Sequence, residues 1–189
     1  MHIKHLLITC AFLTTGLLVT AQTAAPTPAS TVDRGYIVNV GDQAPADFEL
    51  QLADGTKTSL QQLRGKIVIL QFTASWCSVC RQEMPHLEKE VWQAYKNKGV
   101  VLIGVDRDEP LEKVQKFHQD MNISYPLALD PGADIFGRFA NKKSGVTRNV
   151  IIDRDGKIVY LTRLYDPQEF ASMLKAIDAL ANNKTAAIN

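Results

Sequence analysis

The sequence predicts an α/β domain: a central mixed β-sheet flanked by helices, with a short N-terminal β-hairpin extension. Three observations carry this reading. Two near-continuous apolar runs, residues 67–72 (IVILQF) and 100–105 (VVLIGV), have the composition of parallel strands covered on both faces. Between them, Met84, Leu87, Val91 and Ala94/Tyr95 recur at spacings of three and four, lining one face of a helix from about residue 77 to 98. Further on, two apolar stretches, 149–152 and 158–161, flank Asp153-Arg154-Asp155-Gly156, a hairpin signal that makes the sheet mixed.

In chain order, residues 1–21 read as a secretory signal. A short basic start (Lys4, with His2 and His5) precedes an apolar run over 6–19, and Val19-Thr20-Ala21 offers small residues for cleavage. That run is shorter than the roughly 20 residues of a comfortable membrane span; an uncleaved anchor is the alternative. Cys10 lies inside the run and would leave with it. Residues 22–40 begin with an Ala/Thr/Pro/Ser-rich stretch expected to be a flexible tether. The domain proper is expected over 41–183, with a tail at 184–189. Its first elements are a strand over 48–52, a turn at Asp54-Gly55, a returning strand over 57–60, and a helical turn over 59–65 closed by Gly65.

The central strand–helix–strand unit follows, its helix ended by Gly99, and makes a right-handed crossover. Leu111, Val114, Phe117 and Met121 form the face of a further helix, and 134–140 a shorter one. The last helix carries a full start signal. Asp166 caps, Pro167 sits at the first helical position, Glu169 completes a capping box, and Phe170, Met173, Leu174, Ile177 and Leu180 supply the buried face.

The 189 residues are 46% hydrophobic and 22% charged with a formal net charge of +1, which suits one domain and gives no electrostatic case for nucleic acid. The chemistry concentrates at Ala74-Ser75-Trp76-Cys77-Ser78-Val79-Cys80, where a strand ends and a helix begins. Free backbone N–H groups and the helix dipole there favour a thiolate. Without residues 1–21, Cys77 and Cys80 are the remaining cysteines. A disulfide closing so small a loop stabilises little, so redox work explains the pair better than structure does. No second Cys-x-x-Cys or His-x-x-x-His completes four ligands, so no metal site is expected. No cofactor is expected either.

Four stretches together resemble the exported thioredoxin-like proteins, the TlpA/ResA type of thiol–disulfide oxidoreductase: GDQAPADFEL (41–50), LRGKIVILQFTASWCSVCRQEMPHL (63–87), VVLIGV, and VIIDRDGKIV (150–159). The resemblance implies a thioredoxin fold. It also implies that Cys77 attacks a substrate disulfide, that the more buried Cys80 resolves the mixed disulfide, and that Trp76 offers the substrate an apolar contact. Pro85, inside the helical pattern, has a counterpart at this spacing in such folds and reads as architectural. Glu83 follows Cys80 by three residues and matches a proton-managing glutamate of ResA-like proteins; the alternative is a solvated surface acid. Gln71 stands where many thioredoxins have a buried aspartate and cannot act as that base. His86 reads as a surface helix residue.

One departure concerns the loop before the third core strand. Where thioredoxin-like proteins carry a cis-proline facing the cysteines, this chain has Thr147 followed by Arg148. A cis bond before a non-proline residue costs about 3 kcal/mol, so the loop is expected to be trans. Thr147 and Arg148 are the expected substrate-binding residues of this loop. An arginine here resembles the peroxide-holding arginine of peroxiredoxins, so a thiol peroxidase is the alternative function. Ala74 stands against it, because peroxiredoxins place a threonine three residues before the peroxidatic cysteine. A non-enzymatic binding module built on the cysteine pair is the third reading. The first reading implies protein disulfides as substrates and a membrane-bound thiol donor as partner.

Overall fold

The computed structural model describes residues 34–182, so the expected signal over 1–21, the start of the tether and the tail at 184–189 lie outside the described residues. Seven strands form one sheet in the order β2-β1-β5-β4-β3-β6-β7: β1 Leu50–Leu52, β2 Lys57–Thr58, β3 Ile67–Thr73, β4 Val100–Arg107, β5 Leu127–Asp130, β6 Arg148–Ile152 and β7 Ile158–Leu161. β3 pairs parallel with β4 and antiparallel with β6, and β4 pairs parallel with β5. The N-terminal hairpin β1–β2 adds antiparallel to β5, a short strand (LALD) that the sequence reading does not contain. Four residues without alternation carry too little pattern; the exposed edge of β4 and the hairpin give this segment its strand partners.

β3 is buried along its whole length because its side chains alternate between two cores. Val68, Leu70 and Phe72 pack with Phe136, Phe139 and Val150 on one face; Ile67 and Ile69 pack with Met84, Leu87, Phe117 and Met173 on the other. The same alternation puts Gln71 and Thr73, though polar, on the face covered by the helix that starts at the cysteines.

That helix begins as α1 Ser78–His86 and widens into a π-helical stretch, Leu87–Trp92, two residues after Pro85. A proline without N–H leaves a carbonyl one turn back unpaired, and the wider stretch resumes the backbone ladder without ending the helix. It continues through α2 Gln93–Tyr95 and a 3₁₀ turn to Gly99, whose φ of 81° is the left-handed stop the sequence predicts. The remaining helices are α3 Leu111–Asp120, α4 Phe136–Phe139 and α5 Pro167–Asn182. Among the described residues no helix is long and apolar enough to cross a membrane.

The helical turn expected over 59–65 is present: Leu63 N–H donates to Ser59 O at 3.1 Å, and Gly65 ends the turn with a φ of 82°. Two local expectations are corrected. The end of the expected tether, from residue 34 on, is docked: Ile37 N–H donates to Phe139 O at 2.9 Å and the Tyr36 hydroxyl to Thr162 O at 2.6 Å. Asp166 caps α5 through the N–H groups of Gln168 and Glu169, at 3.0 and 2.8 Å, but the box is not reciprocal. Glu169 turns to Arg34, at 2.7 Å, which is a charged partner and outcompetes a backbone N–H.

Candidate functional site

Cys77 and Cys80 stand at the C-terminal end of the central strand β3 and form a disulfide with Cα atoms 5.3 Å apart. Cys77 is the N-cap of α1: its backbone is extended and its Sγ accepts the N–H of Cys80 at 3.2 Å. A sulfur at a helix N-terminus that already accepts a backbone N–H is set to carry negative charge. The two sulfurs differ in access. Cys77 retains 9% exposure, Cys80 has none, and Trp76 beside them is 61% exposed.

The loop before the helix is clamped. Ser75 gives its N–H and hydroxyl to the Glu109 carboxylate at 2.5 and 2.7 Å, and its carbonyl accepts Arg81 Nε at 2.9 Å. Glu109 is nearly buried and also meets Lys113 Nζ at 2.6 Å. Its own pKa is lowered, the donors from Lys113 and Ser75 outweighing its burial. The sequence reading missed this carboxylate, because 34 residues separate it from Ser75 and no local pattern links them.

Thr147 sits on the disulfide. Its Oγ1 lies 3.1 Å from Cys77 Sγ and 3.2 Å from Cys80 Sγ, and among the described residues no peptide bond is cis. Two positions on, Asn149 faces the same way and reaches Glu83, donating Nδ2–H to Glu83 Oε1 at 2.6 Å. Gln71 donates to the other oxygen at 3.4 Å and itself accepts the Tyr125 hydroxyl at 2.8 Å. Glu83 is therefore not a solvated acid: it is 1% exposed and lies one helical turn beyond Cys80 on α1. Burial raises its pKa to about 7 against the opposing pull of the Asn149 and Gln71 amides. Asn149 and Tyr125 had no sequence signal.

Arg148 is the expected substrate residue that the structure turns away. Adjacent strand residues point to opposite faces, so with Thr147 and Asn149 toward α1, Arg148 points to the other core. It is fully buried, bonded to Gly145 O, to Arg34 O at 2.7 Å and to Ser144 Oγ at 3.0 Å, and stacked against Tyr36 and Phe136. His86 is exposed and paired with Glu90 at 2.8 Å, as expected of a surface residue. Among the described residues no group of three or more His, Cys, Asp or Glu side chains is arranged to hold a metal ion.

A mixed sheet with a Trp-Cys-x-x-Cys pair at the strand-to-helix junction, one sulfur reachable and one buried, defines a thioredoxin-fold thiol–disulfide oxidoreductase. Comparison with known proteins agrees. Residues 40–161 match the AhpC/TSA family model. Thiol-disulfide oxidoreductase ResA of Bacillus cereus is 35% identical over 122 residues, covering 65% of this chain and 68% of that protein. A solution structure of a candidate protein disulfide isomerase from Bacteroides thetaiotaomicron is 55% identical, with a TM-score of 0.76 over 79% of this chain and 94% of that one. A crystal structure of a candidate thiol:disulfide interchange protein DsbE from Chlorobium tepidum is 28% identical, with a TM-score of 0.66 over 77% and 99%. The chain belongs to the AhpC/TSA family and, within it, to the thioredoxin-like proteins of the TlpA/ResA type.

Proposed function

We propose that this oxidoreductase is exported and works as a reductant of protein disulfides, cycling Cys77 and Cys80 between dithiol and disulfide with Glu83 as the proton acceptor. The observation that carries the reading is the asymmetry of the pair: a reachable Cys77 capping a helix, and a buried Cys80 one turn from a buried carboxyl whose pKa is about 7.

In the forward direction the Cys77 thiolate attacks one sulfur of the substrate disulfide. A Cys77–substrate disulfide forms, and the other substrate sulfur leaves as a thiolate and takes a proton from water. Cys80 then gives its proton to the Glu83 carboxylate and attacks Cys77 Sγ. The second substrate thiolate leaves and is protonated, Glu83 returning its proton to solvent. One substrate disulfide has become two thiols and the protein dithiol a disulfide. A carboxyl with pKa near 7 suits this exchange, since both its forms are populated at neutral pH. Thr147 Oγ1 is placed to donate to whichever sulfur carries charge. Trp76 supplies the apolar contact for the polypeptide around the target disulfide.

The cycle restarts only if an external dithiol reduces Cys77–Cys80, and a membrane-bound thiol donor fits an exported protein. Export itself rests on the sequence pattern of residues 1–21. Arg148 gives the peroxidase alternative no support, because its guanidinium is committed on the opposite face of β6. Equilibration of the pair with defined thiol–disulfide buffers tests the reading, with Cys77→Ser as control. A potential near about −270 mV or lower is expected; a value near about −120 mV would make the protein an oxidant, and no reversible couple would end the proposal.

A further inference from the structure

We propose that the cleft between Arg34, Lys143 and Arg163 is a binding site for an oxyanion, a carboxylate or a phosphate. The cleft, of about 330 Å³, is lined by these three side chains together with Arg148, Ser144 and Gly145. The whole chain is almost neutral, with 21 Lys and Arg against 20 Asp and Glu, so four cationic side chains around one cleft are a local excess. Glu169 offsets part of it, pairing with Arg34 at 2.7 Å and accepting the Arg163 N–H at 3.3 Å. Arg107 adds to the field from beneath, donating to Ser144 O at 2.9 Å.

The cleft is more than a patch of surface charge. Arg148 is fully buried in its wall, its Nη2 held by Arg34 O at 2.7 Å and Ser144 Oγ at 3.0 Å, so it acts on an anion through its charge and not by a free donor. Two glycines make room for the guanidiniums. A Cβ at Gly35 would come within 2.7 Å of Arg148 Nη2, and one at Gly145 within 3.0 Å of Arg163 Nη2. Burial, and then the charges of Arg163, Arg34 and Arg107, lower the Arg148 pKa to about 10; burial and Arg34 lower that of Arg163. The arginines repel one another in place, and an anion between them would relieve that repulsion. Planar guanidiniums favour carboxylate and phosphate oxygens over chloride because they donate in pairs.

The cleft is coupled to the redox site. Arg163 Nη1 donates to Thr147 O at 3.4 Å, the next residue's N–H (Leu164) donates to the same oxygen at 3.0 Å, and Thr147 Oγ1 touches both sulfurs. The anion is therefore either free phosphate or an acidic side chain of the polypeptide undergoing reduction. The second source rests on the proposed function; the first does not.

The test has two arms. In the first, the oxidised full chain is thermally unfolded with inorganic phosphate and with sodium chloride at equal ionic strength. A saturable rise in Tm with phosphate alone is expected. Its apparent affinity should fall about fivefold in Arg163→Gln, less in Lys143→Gln, and recover in part in Arg163→Lys, as loss of a charge-assisted contact implies. In the second arm, the reduced protein is mixed with two bridged peptides, with Asp or with Asn beside the cysteines. Faster reduction of the acidic peptide through KM, lost in Arg163→Gln, identifies the substrate carboxylate as the occupant. Equal rates with phosphate binding intact identify free anion. Phosphate no better than chloride, together with equal peptide rates, overturns the proposal. Failure to reduce either peptide while phosphate still binds would overturn the proposed function and leave this site standing.

Discussion

Two buried carboxyls flank the active-site strand β3, and their surroundings differ in kind. Glu83, on the helix side, is served by two amide donors, Asn149 Nδ2 at 2.6 Å and Gln71 Nε2 at 3.4 Å. Asp106, at the end of β4 opposite Thr73, has no donor on either oxygen among the described residues. The charges that act on it are those of Glu109, Lys113 and Asp130. Burial and then the Glu109 charge raise its pKa to about 8. Deprotonated, Asp106 faces another carboxylate; protonated, it can donate to Glu109 and settle it against Ser75. Donated hydrogen bonds keep Glu83 able to change charge at neutral pH, whereas burial together with a like-charged neighbour favours protonated Asp106 there. The first arrangement suits proton traffic and the second suits holding a loop still.

Substitutions can break this contrast, and the largest effect is expected at Glu83. Glu83→Gln keeps the shape of the side chain and one acceptor oxygen for Asn149 but cannot take the Cys80 proton. Turnover with a protein disulfide at pH 7 should fall about 10²-fold, and the inflection near pH 7 in kcat should vanish. A rate and pH profile unchanged from wild type would remove Glu83 from the mechanism.

Asp106→Asn should leave turnover at pH 7 nearly intact and instead change the pH dependence of stability. The folded pKa of Asp106 is raised, so its contribution is full below the unfolded value of 3.8, falls progressively as pH rises from there, and is gone above about 8. The neutral variant does not suffer that loss, so its stability relative to wild type should rise by up to about 4 kcal/mol between pH 5 and pH 9. Denaturant melts at the two pH values decide it.

Asn149→Ala sharpens the contrast from the other side. Without its donor Glu83 has less to offset burial, so the kcat inflection should move upward by about one pH unit. A downward shift would reverse the assigned role of the amide. The smallest effect is expected for Glu109→Gln, which loosens Ser75 and relieves Asp106. Stability should fall by about 1 kcal/mol, and the Asp106 carboxyl signal should titrate at lower pH by NMR.

Much of the fold was legible because it rests on patterns a few residues long. The apolar run of β3, the helix after Cys77, the Gly99 stop, the Asp-Gly hairpin and the Asp166 cap are all where the sequence predicts them. What was illegible depends on distant partners. β5 is a strand because β4 and β1 offer it edges, and residues 34–40 dock because Phe139 and Thr162 receive them. At the site, helical spacing puts Glu83 on the side of α1 that carries Cys80, but its burial has no local signal. The count along the chain puts Thr147 in the loop before β6, and nothing local shows its contact with both sulfurs. That Arg148 lies on the other face is equally hidden, because a loop-like Gly145-Val146-Thr147-Arg148 does not show at which residue strand alternation begins.

By itself, then, the sequence determined the class of chemistry: two cysteines one turn apart at a strand-to-helix junction commit the chain to thiol–disulfide exchange, since cap and dipole are local. The tertiary structure alone decided which groups tune it. Whether Glu83 lies in solvent or under Asn149, and whether Arg148 faces sulfur or a second arginine, depends on the register of β6 against β3. That register is set by burying two cores at once, a property of the assembled sheet and of no single segment.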